Sequence, residues 1–93
     1  MTNYTDHARR LGGEAADELM TITAASGRDI HRELEELGSP LSGSWEDGLA
    51  SSDLYEDVTG LTYPEILTDE VGDVVVQLAD AYEAGFRERI AGQ

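Results

Sequence analysis

This sequence lacks cysteine and lysine, and it has one Phe, one Trp and two Pro in 93 residues. Without Cys there are no disulfides and no thiolate metal ligands, and an intracellular, cytoplasmic setting is expected over a secreted one. The longest apolar run, Val74 to Val76, is far too short to span a bilayer, and MTNYTDHARRLGG has no apolar core of a signal peptide. A further absence is positional. No Lys or Arg lies between Glu33 and Phe86, a block that contains 14 acidic residues. Residues 1–32 set four Arg against five acids, and 87–93 hold Arg87, Glu88 and Arg89, so the block alone equals the net charge of −14.

That segregation has a physical consequence. Two like charges about 10 Å apart in water repel by roughly 0.4 kcal/mol, and the block contains dozens of such pairs. A cationic partner offsets the repulsion, or concentrated salt screens it. An anionic surface is itself repelled by nucleic acid and by acidic lipid, which excludes direct binding to either as the default. Arg without Lys fits the codon usage of a GC-rich genome, actinobacterial or haloarchaeal, and in a haloarchaeal proteome a pI near 4.1 is ordinary. Adaptation to salt, however, should spread acids over the whole surface rather than leave the first third nearly neutral.

The chain reads as a small all-α single domain over 1–93, a bundle of about four helices with a long C-terminal one. Tyr4, Ala8, Leu11, Ala15, Leu19 and Ile22 recur at steps of three and four. Thr5 is a suitable cap for this helix, and Gly12–Gly13 is expected to kink it or delay its start to Glu14. Ser26 and Asp29 resemble a capping box before a short helix on Ile30, Leu34 and Leu37, closed by Gly38 and Pro40. Residues 38–51 form a Gly/Ser-rich loop with Leu41, Trp45 and Leu49 as anchors. Ser52 caps a helix through Val58, Gly60 ends it, and the stretch around Pro64 is a turn or one helical turn.

From Thr68 as cap, the apolar set Val71, Val74, Val75, Leu78, Tyr82 and Phe86 holds to one face of a helix reaching about Ala91. At 100° per residue, Asp69, Asp73, Asp80 and Glu83 lie within about 40° of a common line on the opposite face, and Val76 falls on the same line. Asp53, Glu56 and Asp57 flank this ridge from the preceding helix. Trp45, followed by Glu46 and Asp47, is either an interface anchor or the residue that closes a small core.

No motif for chemistry is present. His7 and His31 stand beside Arg and belong to no spaced ligand set, and SWEDGLASSDLYED lacks the alternating ligands and closing Glu of a calcium loop. Carboxylate pairs are so abundant that none identifies an acid–base dyad. No enzyme activity, cofactor or metal is expected.

DNA presents a regular line of phosphates, and its binding proteins project Arg and Lys into that field. A rigid carboxylate ridge offers the same groove a substitute. In charge, size and helicity the whole chain resembles the small, acidic, Cys-free DNA-mimic inhibitors of phages and plasmids, the anti-CRISPR and antirestriction proteins. LSGSWEDGL and AYEAGF also resemble small proteins of actinobacterial and archaeal mobile elements. The first resemblance implies a non-enzymatic inhibitor whose partner is a basic nucleic-acid-binding protein or nuclease, and it assigns no residues. The carboxylate pattern itself points to Asp69, Asp73, Asp80, Glu83 and the acids of the preceding helix, with Trp45–Glu46–Asp47 as a further contact. A homodimer is left open. The alternatives are an acidic adaptor of a halophilic or GC-rich organism, and an antitoxin-like partner that masks a basic toxin.

Overall fold

The computed structural model describes residues 3–37 and 51–92. They form four helices and, among the described residues, no strand: α1 Tyr4–Ala25, α2 Ile30–Leu37, α3 Ser51–Thr59 and α4 Asp69–Ala91. The loop expected over 38–51, with Gly38, Pro40, Leu41, Trp45, Glu46, Asp47 and Leu49, lies outside the described residues except for Ser51, which opens α3. So do the side chains of Leu34 and Leu37.

Helix ends follow local chemistry. The cap of α1 is Asn3 rather than Thr5: its side chain accepts from the Asp6 N–H, while Thr5 Oγ1 donates to Asn3 Oδ1 at 2.7 Å. At the other end Ser26 is the C-cap, and Gly27 takes a left-handed φ of 72°. Gly27 N–H then donates to Ala24 O and Arg28 N–H to Thr23 O, the paired bonds of a Schellman ending. Ser26 therefore belongs to the end of α1. Asp29 alone opens α2, accepting from His31 N–H at 2.9 Å. Gly60, also at φ 72°, closes α3 with one bond from its N–H to Glu56 O. Thr68 caps α4 as its sequence position predicts, accepting from Val71 N–H.

Gly12–Gly13 does not interrupt α1, which is continuous. Contacts between α1 and α4 pair early with early and late with late. Ala8 shares a cluster with Leu78 and Tyr82, and Ala16 shares one with Phe86 and Ile90. The two long helices therefore run in the same direction, and α2 and α3 belong to the return path between them. Between those clusters the backbones meet. A Cβ on Gly12 would lie 1.9 Å from Tyr82 O, and one on Gly85 would lie 2.1 Å from Arg9 O. Only residues without a Cβ permit such an approach of one helix backbone to the other.

This crossing resets the buried face of α1. Ala8, Gly12, Ala16 and Thr23 are buried, while Leu11, Ala15 and Leu19 pack at the flanks and Tyr4 and Ile22 are exposed. Leu54, Tyr55 and Val58 of α3 complete one cluster with Ala8, Leu78 and Tyr82. Ile30 of α2 packs against the other. Phe86, Leu54, Leu78 and Ile90 are the largest fully buried apolar side chains, each worth about 1.5–3 kcal/mol of transfer free energy. Tyr82 is in the core, as its stripe position predicts. Burial, with the charge of Glu18 adding to it, raises its phenol above the usual pKa.

Candidate functional site

The ridge is set by the same stripe that buries α4. With Leu78, Tyr82 and Phe86 fixed inward, the 3.6-residue period directs the Asp69, Asp73, Asp80 and Glu83 positions away from the core. Asp69, Asp73 and Asp80 are exposed, and Val76 among them is 59% exposed. At 1.5 Å per residue the four acids span about 21 Å of helix axis.

Glu83 differs from the other three. Its Oε1 accepts from Arg87 Nη2 at 2.9 Å, and its side chain is only 32% exposed. Arg87 falls 18 residues, five full turns, after Asp69, so the acidic line ends in a cation. That was readable in the sequence as an i,i+4 Glu–Arg pair. The ridge consists of three aspartates without an ion-pair partner among the described residues, followed by one neutralised pair.

On α3, Asp53, Glu56 and Asp57 are exposed while Leu54, Tyr55 and Val58 face the core. Glu56 has structural work: its Oε1 accepts from Tyr63 N–H at 3.0 Å. Asp53 and Asp57 have no ion-pair partner among the described residues. Trp45, Glu46 and Asp47 lie outside the described residues. α3 packs through Leu54, Tyr55 and Val58 against the Leu78–Tyr82 stripe of α4, the face opposite the ridge, so its exposed acids are a second acidic face and do not extend the ridge.

Three other arginines lie beside the glycine crossing. Asp6, Arg9, Arg10, Gly13, Gly85, Glu88 and Arg89 line an open groove beside the glycine crossing. Within it Arg9 clamps Glu88 through two guanidinium nitrogens, and Arg89 Nε meets Asp17 at 2.7 Å. The hydrogen bond from Arg9 holds the Glu88 carboxyl below the usual range, and Glu88 and Asp17 raise the pKa values of Arg9 and Arg89. These cations tie α1 to α4 rather than offer a free anion site.

Among the described residues no group of His, Asp or Glu is arranged to hold a metal ion, and no helix is long and apolar enough to cross a membrane. One feature of the surface was not anticipated. Leu61, Ile66 and Leu67, in the segment between α3 and α4, are at least half exposed. Their signal in the sequence is three large apolar residues around Pro64, with acids on both sides. The chain matches no protein-family model, no curated protein and no solved structure.

Proposed function

We propose that this chain is a non-enzymatic inhibitor that occupies the basic groove of a nucleic-acid-binding protein or nuclease, presenting carboxylates where the groove receives phosphates. One observation carries the reading: Asp69, Asp73 and Asp80 stand exposed on one line of a long capped helix, without an ion-pair partner among the described residues. One strand of DNA places a phosphate about every 3.4 Å of axis, hence about six over the 21 Å spanned by Asp69 to Glu83. The ridge supplies four acids over that length, one of them paired. Mimicry of this kind requires density of charge on a rigid frame, with no reacting group.

The test is competition. Against a panel of purified nucleases and DNA-binding proteins at about 0.1 M salt, binding of this protein should exclude a duplex of about 20 bp. Asp69→Asn, Asp73→Asn, Asp80→Asn and Glu83→Gln together should weaken that binding by at least tenfold and flatten its salt dependence. Glu14→Gln and Glu18→Gln, exposed on α1, are the control; Asp17 is unsuitable because it holds Arg89. Equal losses from both sets would show that only net charge matters and would remove the ridge from the mechanism.

A further inference from the structure

The segment 60–68 between α3 and α4 is ordered by its ends and its middle. Gly60 turns it out of α3, Leu61 N–H donates to Thr59 Oγ1, and Tyr63 N–H donates to Glu56. The Tyr63 ring meets Tyr55 edge to face with centroids 5.6 Å apart, and Thr68 begins α4. Tyr63 and Pro64 are half-buried. Leu61, Ile66 and Leu67 remain 59%, 82% and 50% exposed, so the fold makes little use of them. A lone exposed apolar side chain is unremarkable, but three within seven residues of an anchored segment form a distinct surface feature.

The neighbouring charge identifies the occupant. Glu56, Asp57, Glu65, Asp69 and Glu70 lie on either side, and no Lys or Arg occurs anywhere between Glu33 and Phe86. We infer that this segment is a docking surface for a protein whose basic residues surround an apolar contact area, with Leu61, Ile66 and Leu67 as the apolar anchors. The inference rests on the reading of a cationic partner and adds to it: phosphate mimicry makes no use of Ile66, so the partner is recognised by apolar contact as well as charge. A second copy of this chain brings a second acidic block, and an anionic lipid surface brings the same sign of charge, so neither complements the segment.

The probe is an 18-residue amphipathic helix of Lys and Leu, compared with the same peptide carrying Ser for Leu at equal charge. Titrated calorimetrically at about 0.15 M salt, the Leu peptide should bind at least tenfold more tightly than the Ser peptide. The double variant Ile66→Ser, Leu67→Ser should lose that preference while keeping its affinity for the Ser peptide, and Leu61→Ser should lose part of it. Equal affinity for both peptides, binding of neither, or full retention in the double variant overturns the inference. So does a fall of several degrees in the variant's melting temperature or a shift in Trp45 emission, because either shows that the chain covers these residues itself. A wild-type dimer in sedimentation that the double variant dissolves would assign the surface to a second copy and overturn it too. The four-residue ridge variant separates the two readings. If it binds the Leu peptide as the wild type does while the double variant fails, mimicry by the ridge is wrong and this docking surface stands; the converse leaves the ridge and removes the docking surface.

Discussion

The α1–α4 contact and the acidic block stand at opposite electrostatic extremes of one small chain. At the contact, cations are matched to anions across the helix pair, Arg9 with Glu88 and Arg89 with Asp17, around a glycine crossing where backbones touch. In the block, the ion pairs among the described residues lie at the edges: Arg28 meets Glu33 at its start and Arg87 meets Glu83 at its end. Between those acids, Asp53, Asp57, Glu65, Asp69, Glu70, Asp73 and Asp80 make no ion pair among the described residues. The contrast teaches that Arg9 and Arg89 serve cohesion of the helix pair, while the described acids from Asp53 to Asp80 are left without a compensating cation among the described residues. Fold and candidate function are thereby divided between regions, and each can be perturbed with limited effect on the other.

The largest expected effect comes from breaking the contact. Gly12→Ala or Gly85→Ala places a Cβ about 2 Å from a carbonyl oxygen of the facing backbone, and a backbone cannot rotate away as a flexible side chain does. Each should destabilise by about 2–4 kcal/mol, at or above the usual range for overpacking, which lowers the melting temperature of a chain this size by roughly 10–25 °C. Gly13→Ala and Gly72→Ala are the controls. Both positions are helical with open space around the added Cβ, so each should be neutral or stabilising by up to about 1 kcal/mol. Thermal melts followed by circular dichroism separate the two pairs. Similar behaviour of Gly12 and Gly13 would refute the crossing.

The next effect sharpens the other side of the comparison. Repulsion within the block should make the protein more stable in salt, with a melting temperature that rises by several degrees from about 0.02 M to 1 M NaCl. Replacing Asp69, Asp73 and Asp80 with Asn should raise stability at low salt and reduce the increment, without loss of helicity, because like charges leave an exposed face. A melting temperature indifferent to salt would remove the repulsion argument. A chain unfolded at about 0.15 M salt would favour the acidic adaptor of a salt-adapted organism.

How much of this was legible in the sequence depends on which forces are local. The boundaries of α4 follow from a Thr cap, a long apolar stripe and the acids beside it, all within one segment. The ridge is the geometric complement of that stripe and was equally readable, with Arg87 overlooked although its i,i+4 spacing from Glu83 was plain. The α1 face was not readable in the same way. Gly12 scores as a helix breaker in any local account, and its value arises only because Gly85, 73 positions away, presents an equally bare backbone. Apolar periodicity picked out Ala8, which is buried, but it also gave weight to Tyr4 and Ile22, which the crossing leaves exposed, and none to Gly12 and Ala16, which it buries. Asn3 displaced Thr5 as cap, a shift of two positions between two competent side chains. The exposed Leu61, Ile66 and Leu67 were visible as residues, but their exposure depends on Tyr63 taking the inward place against Tyr55.

The smallest effect tests whether the cations at the contact act as described. Glu88 has its carboxyl pKa lowered, first by the hydrogen bond from Arg9 and then by that residue's charge, with desolvation opposing. A carboxyl whose folded pKa lies below its unfolded value contributes stability that is present above the unfolded pKa and lost as pH falls through the folded one. Glu88→Gln should therefore lower the melting temperature slightly at pH 7, and the gap from wild type should close as pH falls from about 5 toward 3. The pair is exposed and screened, so the gap should also narrow in 1 M NaCl, opposite in direction to the salt response expected from the block. A gap independent of both pH and salt would mean that Glu88 acts through packing alone, and the division between a charge-matched contact and a charge-repelled block would lose one of its two cross-helix ion pairs.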